Sequence, residues 1–139
     1  MHPLIYVAGK YRAATREAVA ANIEAARQLG IEAARLGWYP VIPHCNTAHM
    51  ELATPQHGDQ FWLQGTLELM RRCDALVLVP GWETSEGTQG EIAEADRLQI
   101  PIYRSPDLLP GASEFIAWLH AAEARRHDRP QHQRHPAAH

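Results

Sequence analysis

Apolar residues along this chain alternate between two spacings. Residues 4–8 form an unbroken apolar run closed by Gly9, and residues 75–79 form a second, closed by Pro80 and Gly81. Runs of this kind mark parallel strands covered on both faces. Two shorter β-prone stretches, 39–42 and 101–103, bring the expected strands to four. Between them the spacing becomes helical. Val19, Ile23, Ala26, Leu29, Ala33 and Leu36 give a helix over 16–36 one inner stripe, with Thr15 as its cap and Gly37 as its stop. Leu63, Leu67 and Met70 do the same for 59–72, where Asp59 is the expected cap. Ile92, Ala95 and Leu98 do so for a helix starting near Ser85, and Phe115, Trp118 and Leu119 for 113–124. Residues 43–58 read as a long irregular loop, longer than a connection needs.

Strand and helix in strict alternation require right-handed crossovers and a parallel sheet. The expected fold is therefore α/β, a three-layer Rossmann-like or flavodoxin-like sandwich with strand order 2-1-3-4. It forms one domain over residues 1–124, followed by a His-, Pro- and Arg-rich flexible tail over 125–139. Composition narrows the function classes. A formal net charge of −3, with Lys10 the one lysine, offers no field for a nucleic-acid polymer or a membrane surface. Two cysteines make no disulfide framework, and the start of the chain carries no signal-peptide pattern, so a cytoplasmic location is expected. His44, Cys45, His49 and His57 match no closed zinc spacing. Neither metal nor cofactor is expected.

In the 2-1-3-4 order the switch point falls between strands 1 and 3, so the loops at 9–12 and 81–87 face one crevice, the place where open α/β sheets bind ligands. The second loop leads into a helix with Ser85 at its start and Glu91 further in. Each has a purely structural alternative. Ser85 serves as a plain N-cap, and Thr88 with Glu91 fits the S/T-x-x-E capping box, in which the carboxylate only satisfies a backbone N–H. Tyr6 sits in a strand as core or as ligand wall. His44, at the end of strand 2, faces the same choice, as do Trp62 and Trp82, each a surface on which a base can stack.

Three stretches together, IYVAGKYR, PVIPH and CDALVLVPGW followed by SEGTQGE, resemble the nucleoside 2-deoxyribosyltransferase superfamily. Within it they are most similar to small bacterial and phage proteins carrying PGW-x-x-S-x-G-x-x-x-E. The resemblance covers roughly residues 5–103. It implies cleavage or transfer at the N-glycosidic bond of a nucleotide or nucleoside, with Glu91 as the nucleophile that attacks C1′. It implies that Ser85 holds a 5′-phosphate, where nucleoside-specific members have an aspartate. Gly87, Thr88 and Gly90 then lie against the ligand, Tyr6 and Gly9 line the sugar, and Arg12 partners the phosphate. Glu86, beside Ser85, opposes an anion.

One departure stands out. The superfamily usually has an aspartate eight residues before the position of Asp74, where it assists the nucleophile or protonates the leaving base. This chain has Thr66 there. An alternative follows, a nucleotide-binding module that keeps the pocket without efficient chemistry. Members of the superfamily are dimers or larger, and Trp38, Trp62 and Trp118 supply bulky surface for a homo-oligomer.

Overall fold

A computed structural model describes residues 1–128 of the chain. Four strands, β1 (Leu4–Ala8), β2 (Tyr39–Val41), β3 (Ala75–Leu78) and β4 (Ile102–Tyr103), form one sheet in the order β2-β1-β3-β4. Every neighbouring pair is parallel, and Tyr6 of β1 lies beside Val41 on one side and Leu76 on the other. The expected 2-1-3-4 sandwich is the observed one. Helices α1 (Arg16–Arg35), α2 (Pro43–Asn46), α3 (Asp59–Met70), α4 (Glu86–Arg97) and α5 (Ala112–His127) flank the sheet.

The alternation of side chains along the strands separates two cores. Ile5, Val7, Ala75 and Val77 point to one face, against Ala26, Leu29 and Ala33 of α1 and Phe115 of α5. Tyr6, Ala8, Leu76 and Leu78 point to the other, against Met70 at the end of α3 and Ile92 and Ala95 of α4. Trp38 belongs to the first core at 2 % exposure, with its indole N–H donating to the Pro110 carbonyl at 2.9 Å. It is therefore not the surface residue expected of it, whereas Trp118 is 49 % exposed.

Several boundaries differ from the sequence pattern. Leu36 and Leu98 are C-caps and stand exposed, past the last residue of each helix that faces the sheet. Gly58, not Asp59, is the N-cap of α3, and the Asp59 carboxylate turns to Arg12 instead. The segment 43–58 contains α2 and a 3₁₀ turn at Met50–Leu52. Helix α5 continues through His127, its last turn carrying Arg125 and Arg126, whose positive charge suits the negative end of the helix dipole. The expected tail thus begins inside a helix, and residues 129–139 lie outside the described residues.

Candidate active site

The site grows from β1, β3 and the start of α4. Strand β3 ends at the carboxyl edge of the sheet beside β1, held there by the Val79 N–H donating to the Ala8 carbonyl at 2.8 Å. Gly81 then takes φ +95°, a left-handed turn that glycine adopts without strain. A 3₁₀ turn, Trp82–Thr84, brings the chain to Ser85, the N-cap of α4. The Ser85 hydroxyl oxygen accepts from the Thr88 N–H at 3.2 Å and from the Thr88 hydroxyl at 2.9 Å. Having accepted twice, it still has its own proton to donate. Both readings of Ser85 therefore remain compatible on one side chain, cap and donor.

The capping-box reading of Glu91 does not hold. Helix α4 starts at Glu86, so Thr88 is already inside it and Glu91 lies in its second turn. The Glu91 carboxylate is buried, 7 % exposed, and accepts a hydrogen bond from the Tyr6 hydroxyl. Tyr6 comes from the central strand and is fully buried. Burial pushes the Glu91 carboxyl up to about 7, against the smaller downward pull of the Tyr6 bond. The same burial, followed by the neighbouring Glu91 charge, raises the Tyr6 phenol well above its ordinary value. A carboxylate held beside a strand hydroxyl and out of water titrates near neutrality, as nucleophiles and general bases do.

The Thr66 hydroxyl donates to the Leu63 carbonyl at 3.0 Å and lies close enough to the Tyr6 phenol to hold its proton affinity down. Thr66, Tyr6 and Glu91 thus meet between the sheet and helices α3 and α4. Tyr6 and Glu91 are 85 residues apart in the sequence. Their direct bond depends on the register of β1 against α4, which spacing does not reveal.

The other candidates are placed as follows. Gly9 is buried, and a Cβ there would sit 2.7 Å from the Val79 Cβ. Its smallness serves the packing of β1 against the end of β3. Gly9→Ala is accordingly expected to destabilise the fold by about 1–3 kcal/mol, read by chemical denaturation, because the β-branched Val79 cannot swing aside. At Gly87 and Gly90 an added Cβ meets nothing within 4 Å, so both face open space. Thr88 is buried. Trp82 is tethered to the end of the neighbouring strand β4, its indole N–H donating to the Arg104 carbonyl oxygen at 3.1 Å and the Arg104 guanidinium lying over its ring.

Arg12 forms an exposed ion pair with Asp59. His44 is buried and its Nε2 pairs with the Lys10 carbonyl oxygen at 3.0 Å, while its Nδ1 has no partner among the described residues. Burial lowers the His44 pKa. Tyr11, which the sequence did not single out, donates to Glu51 at 3.0 Å and accepts from the His49 N–H at 2.9 Å. Together Tyr11, Arg12 and His44 fasten the loop after β1 to the segment 43–59. Asp74 accepts from the Leu4 N–H at 2.7 Å at the opposite end of the sheet, a structural tie away from the crevice. Among the described residues no three His, Cys, Asp or Glu side chains gather as a metal site, and no helix is long and apolar enough to cross a membrane.

Fold and site define a class: a parallel α/β domain with a buried carboxylate on the helix that follows its third strand, bonded to a tyrosine of its first. The chain belongs to the family described as a domain of unknown function (DUF7768), which matches residues 3–105. That region contains the whole sheet and α1 to α4. No curated protein matches the chain.

Proposed function

We propose that the chain cleaves or transfers at the N-glycosidic bond of a nucleoside 5′-monophosphate, with Glu91 as nucleophile. The observation that carries this reading is the buried Glu91 carboxyl, bonded to Tyr6 and titrating near 7. The likeness of the PGW-x-x-S-x-G-x-x-x-E stretch to nucleoside 2-deoxyribosyltransferases supports it independently. In the first step a Glu91 oxygen attacks C1′ as the C1′–N bond breaks, and the base leaves with the electron pair. Water or a second base then attacks C1′ and restores the carboxylate. Thr66 supplies a hydroxyl where an acid is usual, so the departing base takes its proton from water.

The Ser85 hydroxyl donates to the 5′-phosphate at the N-terminus of α4, where the helix dipole favours an anion. Arg12 reaches the same phosphate by giving up Asp59, an exposed pair that costs little to break. Two substitutions separate cap from ligand. Ser85→Ala is expected to lose about 0.5–2 kcal/mol of stability with the cap. Ser85→Asp keeps a good cap and hence the melting temperature, yet repels the phosphate. Calorimetric titration with a nucleoside monophosphate should show binding about tenfold weaker or worse in Ser85→Asp. Unchanged affinity would remove the phosphate role.

A second reading rests on one observation. The forces on the Glu91 carboxyl are burial and the Tyr6 bond, with no second carboxylate among them. That arrangement suits a module that binds a nucleotide without efficient chemistry. Incubation with a panel of nucleoside monophosphates, reading released base by chromatography, decides between the two. Base release supports the enzyme. Binding without release supports the module.

A further inference from the structure

A neutral base leaving a sugar needs a proton on its departing nitrogen, and a positioned acid typically contributes about 10²- to 10⁴-fold to that step. The groups around Glu91 do not offer one. The Tyr6 phenol donates to Glu91 itself, and the Thr66 hydroxyl donates to the Leu63 carbonyl. Cys73, which also acts on Tyr6, is buried with its thiol pushed up to about 11. His44 stands on the same edge of the sheet. Its Nε2 faces the Lys10 carbonyl oxygen and so carries the ring proton, while burial keeps the ring neutral and leaves Nδ1 a lone pair. Glu91 cannot be acid and nucleophile in one step. Among the described residues no other carboxylate acts on Glu91 or Tyr6, and residues 129–139 contain no Asp or Glu. Thr66 also lines a groove of about 600 Å³ between α2 and α3, with Asn46, Phe61, Trp62 and Gln64. Trp62 is half-buried there and meets Phe61 edge to face at 5.0 Å. Arg71, a cation on the rim, is paired with Glu68 and Glu94.

We infer that the substrate is a nucleoside 5′-monophosphate whose leaving group is already cationic, an N-glycosyl pyridinium, with its ring in the groove beside Thr66 and Trp62. The inference rests on the proposed cleavage by Glu91 and narrows its substrate. Such a leaving group needs no acid. As the bond from a Glu91 oxygen to C1′ forms, the C1′–N bond breaks and its electron pair neutralises the ring nitrogen. Water then attacks C1′, the ester bond to Glu91 breaks, and the proton lost by the water passes to solvent. The hydroxyl and neutral amides of Thr66, Asn46 and Gln64 do not repel a cationic ring, and the face of a tryptophan attracts one. The charge also suits the buried carboxyl. A cation beside Glu91 lowers its proton affinity, so a group that titrates near 7 in the free protein is ionised once this substrate is bound. A neutral base brings neither advantage.

The test is the rate of leaving-group release by the unmodified protein, read by chromatography. The probes are nicotinamide mononucleotide, its reduced form, and adenosine, guanosine, cytidine and uridine 5′-monophosphates. Each rate is referred to hydrolysis of the same compound without protein, which removes the pyridinium's own reactivity. The acceleration of nicotinamide mononucleotide is expected to exceed that of every neutral-base monophosphate by at least about a hundredfold. It should also exceed that of the reduced form, which has the same ring without the charge. A neutral-base monophosphate accelerated as strongly as nicotinamide mononucleotide overturns the inference and leaves the proposed cleavage standing. Equal acceleration of the oxidised and reduced forms overturns it too, since ring shape and not charge is then selected. Release from none of the compounds overturns this inference and the proposed cleavage together.

Discussion

Glu91→Gln is expected to abolish base release and, at the same time, to make the protein more stable above neutral pH. The two effects have one cause. The carboxyl is buried beside Tyr6 and titrates near 7 instead of its ordinary 4.5. Between those values the folded state holds a proton that the unfolded state has released, so raising the pH favours unfolding. The loss of stability accumulates from about pH 4.5, is complete above about pH 7, and amounts to roughly 3 kcal/mol. Glutamine has the shape of the protonated acid, accepts the same bond from Tyr6, and carries no charge to bury. Denaturation at pH 8 should therefore show Glu91→Gln more stable by up to about 3 kcal/mol, and near pH 4.5 the two should coincide. Turnover should fall by roughly three orders of magnitude or more, because an amide does not attack C1′. Nucleotide binding should persist. Undiminished turnover in this variant would end the nucleophile assignment, and a pH-independent stability difference would end the account of its burial.

Tyr6→Phe is the second large effect. The phenol donates to Glu91 and lowers its proton affinity. Without it the carboxyl stays protonated to higher pH, so the acid limb of the rate profile should move upward from about 7. A hydrogen bond to a charged acceptor contributes about 1.5–3 kcal/mol, so at neutral pH the rate should fall about 10- to 100-fold. Recovery of much of that loss at high pH distinguishes a positioning hydroxyl from a damaged core. A flat loss at all pH values would show that Tyr6 acts only through packing.

The sheet was legible in the sequence because its two central strands are covered on both faces. Ile5 to Ala8 and Ala75 to Leu78 are all buried, and only an apolar run satisfies that environment. The order of the strands followed from connectivity. What stayed hidden was set by contacts distant in sequence. Nothing near Gly9 announces that Val79 lies against it, and nothing near Tyr11 announces Glu51. Leu36 and Leu98 continue the apolar period of their helices but stand exposed as C-caps. Trp38 follows a helix-ending glycine and reads as surface until α5 folds over it. Ser85 was legible as the start of a helix and Glu91 as a carboxylate a turn further in. The Tyr6 partner of Glu91 required the strand register, and the role of Gly9 in packing required the neighbouring strand.

The lid that α5 places over Trp38 lies outside the region that the family matches. The family region stops at residue 105. Leu109, Ala112 and Phe115, all beyond it, complete the core on the α1 face, and Pro110 accepts the Trp38 indole proton. The region matched by the family therefore leaves out part of the core that covers Trp38. A chain cut after residue 105 would expose the Trp38 ring and leave its indole N–H without the Pro110 acceptor.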